Sequence, residues 1–145
     1  MNKRSILTKE NYKQAAHKLP KTVHEIAVVI GIDVTIILIN EYRGRSLEIT
    51  KAKHVSSRNK MNQLAGVIGR EAATKLSIAY STQRRIHVPQ CREAFVFLRN
   101  IEILKCFDSL TTGKGVQLAA HQAVSKISLD YGLMERYIWK ILKCG

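Results

Sequence analysis

Apolar residues along the chain follow a helical spacing that glycines interrupt and that twice gives way to a two-residue alternation. Val23, Ile26, Ala27 and Ile30 recur at the intervals of one helix face and stop at Gly31, a residue suited to a C-terminal cap. Asp33 follows near the next helix start, where a carboxylate suits the positive end of the dipole. Val34, Ile37 and Leu38 then continue an apolar face. Leu47 and Ile49 alternate with polar neighbours, the pattern of a short strand. The same succession returns later. Gly69 and Glu71 precede Ala72, Leu76 and Ala79, and Ile86 and Val88 form a second alternating run. Pro89 cannot donate to a sheet ladder, so that strand ends there or lies at an edge.

This succession is an internal repeat. A shift of 38 residues lays 25–42 over 63–80, with six of 18 positions identical: Ala27/Ala65, Val29/Val67, Ile30/Ile68, Gly31/Gly69, Leu38/Leu76 and Tyr42/Tyr80. With one extra residue in the second copy, 47–50 falls over 86–89. Each copy reads as helix, glycine turn, helix, strand. A single copy leaves its strand with nothing local to pair with, so the strand pairs with its repeat or with another chain. That predicts a two-stranded sheet or a dimer. Between the copies, 51–60 is polar and basic and reads as a linker. Ahead of them, 1–22 carries Lys3, Arg4, Lys9, Lys13, Lys18 and Lys21 against Glu10 alone, which reads as a solvated basic N-terminal tail.

The region 91–145 is helical in pattern. Phe95, Leu98, Ile101, Ile103, Leu104 and Phe107 supply one face, and two glycines in 110–115 mark a break. Val116, Leu118, Ala119, Ala123, Val124, Ile127 and Ser128 predict the next helix. Gly132 ends it, and 133–143 form a last one. This pair fits the helix-turn-helix template. With Val124 first, Gly132 falls ninth, at the tight turn, and Ser128 fifth, where two helices cross closely and only a small residue fits. The template's buried positions fall on Ile127, Tyr131, Leu133, Ile138 and Ile141. An ordinary helical hairpin is the plainer alternative.

Charge decides between them. Among 145 residues, 24 Lys and Arg against 11 Asp and Glu give a net charge of +13, for which a polyanion, usually nucleic acid, is the natural partner. The few carboxylates argue against acid/base hydrolases and multi-carboxylate metal sites. In the template Met134, Glu135, Arg136, Tyr137, Lys140 and Lys143 point outward. Arg136 can address guanine, and Glu135 can accept from cytosine or cap its helix. Lys140 and Lys143 suit phosphates, as do Ser125 and Lys126 at the start of the preceding helix. Trp139 is expected to pack. Cys91, Cys106 and Cys144 form no CxxC pair and the five histidines show no ligand spacing, so reduced thiols, no metal and no cofactor are expected. Asp108, Ser109 and His121 are residue types of a catalytic triad, but no spacing fixes their geometry, and no enzyme is expected. The basic N-terminus has no apolar segment behind it, and the longest apolar run, 28–39, is too short to span a bilayer. A soluble, cytoplasmic protein without a membrane partner is the expectation.

The order helix–Gly–helix–strand, Val88-Pro89, a helix, and then ISLDYGLMERYIWKIL over 127–142 resembles the Mor/C transcription activators of Mu-like phages, across 23–143. The resemblance implies a mainly α fold: a tandem helix–helix–strand dimerisation region at 23–90, then a helix-turn-helix DNA-binding domain at 91–145. It implies a homodimer that activates promoters by recruiting bacterial RNA polymerase. The strand carrying Ile86 and Val88 would pair with its mate from the other subunit, these two residues facing the helices. Arg85 and His87 would face the DNA. The chain departs from that family in having Ser81-Thr82-Gln83 where glycines usually precede the strand, and in an added stretch at 111–122. A DNA-binding repressor and an RNA-binding basic protein are the alternatives. Against RNA stand the few aromatic residues and the lack of an aromatic RNA-binding strand or flanked GXXG loop.

Overall fold

The computed structural model describes residues 5–49, 55–83, 85–113, 115 and 117–144, with 55–58 described by backbone alone. Among these residues the chain is mainly helical, with eight α-helices and one two-stranded sheet. It forms two compact units, one spanning Leu7–Ala94 and the other built on Phe95–Gly145.

The repeat is plain in the first unit. Helices α2 (Lys21–Ile30) and α3 (Ile32–Tyr42) lead to strand β1 (Ser46–Glu48), and α4 (Val55–Ile68) and α5 (Arg70–Ala79) lead to β2 (Arg85–His87). The glycines between paired helices have nearly the same backbone, Gly31 at φ 88°, ψ 159° and Gly69 at φ 92°, ψ 150°. That region is essentially open to glycine alone. Each glycine N–H donates to the residue four before it, Ala27 or Ala65, and each carbonyl accepts from the residue four after it, Thr35 or Ala73. Burial repeats as well. Ile26 and Leu64, Ile30 and Ile68, Thr35 and Ala73, and Leu38 and Leu76 are buried pair by pair.

The copies interlock, since α2 packs on α5 and α3 on α4. Their strands pair antiparallel, with Leu47 opposite Ile86 and Glu48 opposite Arg85. Two further bonds extend the ladder: the Gly44 N–H donates to the Val88 carbonyl, and the Val88 N–H to that of Arg45, both at 2.8 Å. Of the two partners open to each strand, the structure has the repeat. Within the chain β2 pairs with β1, and each strand of this two-stranded sheet keeps one edge without a strand neighbour among the described residues. Ile86 and Val88, expected to mediate dimerisation, are 3% and 0% exposed and lie in this unit's own core with Leu47 and Ile49.

Three other expectations change. The stretch 51–60 is no linker throughout, because α4 begins at Val55; 51–54 lie outside the described residues. The N-terminal tail is in large part folded, although 1–4 lie outside the described residues. Helix α1 (Lys9–Ala15) starts at a Thr8–Asn11 capping box, and Leu7, Tyr12, Ala15 and Leu19 are buried. The Leu7 backbone exchanges two 2.9 Å hydrogen bonds with the Asn40 side-chain amide. Four apolar residues among the lysines outweigh the charge pattern that suggested a free arm. Finally, α3 buries Thr35, Ile36, Leu38 and Ile39, leaving Ile37 exposed and Val34 half-buried, and Ala79 is exposed on α5. Thr35 tolerates burial because its hydroxyl donates to the Gly31 carbonyl at 2.7 Å.

Helix α6 (Arg92–Thr112) begins in the first unit, and from Phe95 it belongs to the second, with α7 (Ala120–Tyr131) and α8 (Glu135–Cys144). The core of the second unit is Ile103, Val124, Ile127, Tyr131, Ile138 and Ile141, with Cys106, Phe107, Leu110, Leu133 and Leu142 packed around them. Leu118 and Ala119 precede α7 rather than lie in it, and the Gln122 side chain accepts from the Ala119 N–H at 3.1 Å. Val116 lies outside the described residues.

Candidate nucleic-acid interface

Helices α7 and α8 meet at Gly132, whose left-handed backbone (φ 65°, ψ 34°) caps α7 by donating to the Ser128 carbonyl. The Leu133 N–H donates to the same carbonyl at 3.2 Å, and the Ser128 hydroxyl donates to the Leu133 carbonyl. Ser128 serves both halves of this reciprocal clasp, its carbonyl accepting and its hydroxyl donating. Met134 immediately precedes the next helix, its carbonyl accepting from Tyr137 and Ile138 at 3.0 and 3.1 Å.

Helix α8 has two unlike faces. Ile138 and Ile141 are buried, which holds the helix to α6 and α7; each buried isoleucine contributes about 1.5–3 kcal/mol. The outward side carries Glu135, Arg136, Trp139, Lys140 and Lys143, which line one shallow groove. Arg136, Lys140 and Lys143 stand four and three residues apart, so they share a stripe. Met134, just ahead of the helix, is 74% exposed.

Two aromatic residues of this helix stand outward, Tyr137 as expected, at 39% exposed, and Trp139 against expectation. Tyr137 is held from behind: the Arg99 guanidinium donates to its hydroxyl at 3.0 Å and lies 5.4 Å from its ring centre. Tyr137 thus positions α8 on α6. Trp139, expected to pack, is 38% exposed and stands among the cations. Its spacing from Arg136 and Lys143 signals this placement, but the usual burial of tryptophan points the other way.

Ser125 and Lys126 do not start α7, which begins five residues before Ser125. Ser125 is half-buried and Lys126 exposed. On α7, burial pushes the Tyr131 phenol up to about 12, aided by the Glu102 carboxylate that its hydroxyl meets at 3.4 Å. Tyr131 therefore stays neutral and serves the core.

Arg85 and His87 share the exposed face of the β1–β2 sheet, in the other unit, while Ile86 and Val88 turn inward. Glu48 takes Arg85 at 3.5 Å and Lys60 at 3.1 Å. The hydrogen bond and charge of Lys60, reinforced by Arg85, hold the Glu48 carboxyl below its ordinary range. The Ser46 hydroxyl lies 3.5 Å from His87 Nδ1. One carboxylate against two cations leaves this patch positive, but it fixes where the cations sit.

The chain matches no protein-family model, no curated protein and no solved structure. Function therefore rests on the residues themselves. Among the described residues no group of three His, Cys, Asp or Glu could hold a metal, and no helix is long and apolar enough to cross a membrane. Asp108, Ser109 and His121 are exposed, and among the described residues no side-chain hydrogen bond joins them.

Proposed function

We propose that the chain is a sequence-specific duplex-DNA-binding regulator of transcription, with α7–Gly132–α8 as its helix-turn-helix and α8 as the recognition helix. One observation carries this reading: α8 is anchored by Ile138 and Ile141 and turns Arg136, Lys140 and Lys143 outward together, in a chain of net charge +13. Lysines and arginines on one rigid helix suit the major groove, where arginine addresses guanine and lysine the phosphates. Arg85 and His87 offer a second polar surface for the backbone.

Activation, recruitment of RNA polymerase and a homodimeric state are carried by the resemblance to the Mor/C activators. Repression is the other regulatory outcome of the same binding. The exposed sheet face bears Ser46, Glu48, Arg85 and His87, with the His87 ring alone to stack on a base and no Phe, Tyr or Trp, whereas sheet platforms that bind RNA stack two or three bases on their aromatic rings. Selection from a random duplex pool, followed by footprinting on the enriched sequence, tests the reading. A recurring protected sequence, with affinity falling steeply as salt rises, is the expected result. Equal binding to all duplexes, or preference for single-stranded RNA, would overturn it.

A further inference from the structure

We infer that Trp139 reads a thymine in the major groove, its ring against the 5-methyl group and its indole N–H toward O4. The inference rests on the proposal that α8 is a recognition helix. Trp139 is the chain's single tryptophan, and it is 38% exposed on the outward face of α8, in the groove lined by Glu135, Arg136, Lys140 and Lys143. Arg136 lies three residues before it and Lys143 four after, so a polyanion drawn to those cations covers the indole too. Among the described residues, no hydrogen bond within the chain uses that indole N–H.

The chemistry of the base edges selects the ligand. An indole offers a large apolar plate and one donor, with no acceptor. In the major groove guanine shows two acceptors, adenine an acceptor beside a donor, and cytosine a donor; only thymine sets an acceptor beside a methyl group. Against guanine the indole would satisfy one acceptor and desolvate the other. Against adenine or cytosine it would bury a donor with no acceptor to meet it. Thymine alone gives both the plate and the N–H a partner.

The test uses the duplex recovered by selection with the full chain. Each thymine is replaced in turn by deoxyuridine, which removes the methyl and keeps O4 and the pairing. With the native chain, one position should lose about fourfold in affinity, the worth of one methyl group transferred out of water. Trp139→Ala should be indifferent to uridine at that position, whereas Trp139→Phe should keep the methyl sensitivity. Tryptophan fluorescence of the native chain should change on adding the thymine duplex, and less on adding the uridine duplex. A uridine scan with the same profile for the native chain and Trp139→Ala overturns the inference while leaving the DNA-binding reading intact. So does a native scan and fluorescence response that are flat at every thymine. A pool from which no duplex is enriched overturns the reading beneath it and the inference together.

Discussion

The glycines between paired helices allow a direct test of the duplicated fold. Gly31 and Gly69 differ by 4° in φ (88° and 92°) and 9° in ψ (159° and 150°), and a Cβ at either position would meet nothing within 4 Å. Alanine there is penalised by the backbone alone. Holding a residue with a Cβ in this region costs about 1–3 kcal/mol. Restricting the unfolded chain returns about 0.4–1 kcal/mol. Gly31→Ala and Gly69→Ala should therefore each destabilise by about 1–2 kcal/mol, a visible share of the roughly 5–15 kcal/mol of a typical domain. Because the two backbones are alike, the two losses should be similar in size. Gly66 supplies the opposite control. It lies inside α4 with nothing within 4 Å of its Cβ position, so Gly66→Ala should stabilise by about 0.5–1 kcal/mol. Urea denaturation followed by helical circular dichroism measures all three. A neutral Gly31→Ala beside a costly Gly69→Ala would refute the equivalence of the repeats, and three substitutions of one sign would refute the backbone argument.

Other outcomes follow from named side chains. Arg136→Ala should cost about 1–3 kcal/mol on the selected duplex and relax preference at one base pair, whereas Lys140→Ala should weaken all duplexes alike and lower the salt slope by about one; titrations at several salt concentrations separate them. Ile86→Asp puts a carboxylate into the core opposite Leu47, a cost of several kcal/mol. Cooperative unfolding should weaken or vanish, and sedimentation showing a folded monomer released from a dimer would instead return the strand to an intersubunit role. Burial raises the Cys91 thiol from 9.0 to about 11, so the unfolded chain ionises first and stability present below pH 9.0 drains as the pH rises through that interval. Cys91→Ala should flatten that part of the pH–stability curve, and iodoacetamide should label exposed Cys144 well before buried Cys91.

Much of the fold was legible because glycines and apolar spacing carried it. Gly31, Gly69 and Gly132 each mark a true helix end, and the repeat of 38 residues found both helix pairs and both strands. The identity of the strand's partner was not legible, since pairing inside one chain and pairing between chains place the same demand on Leu47 and Ile86. The N-terminal segment misled because its lysines are frequent and its buried residues few and widely spaced, with no single face to reveal Leu7 and Leu19. At the candidate site, Arg136, Lys140 and Lys143 stand outward as the spacing implied. Tyr137 stands outward as expected and Trp139, expected to pack, is equally exposed (39% and 38%); composition cannot show which of the two rings an arginine on another helix will hold. Arg99, 38 residues from Tyr137, decides that.

Duplication and recognition have different symmetry in this chain. Each helix–helix–strand copy packs on the other, with α2 on α5, α3 on α4 and β1 on β2. The α7–α8 pair has no counterpart in the repeat. A protein with two-fold symmetry places two recognition helices one helical turn apart and reads a palindrome. One chain carries one α8 and so presents one such helix, and a homodimer presents two. With α8 as the recognition helix, the natural site for one chain is a single, non-palindromic stretch of major groove. Palindromy in the selected duplex would then report the homodimer, for which the second edge of β2, rather than the buried side chains of Ile86 and Val88, is open to another chain.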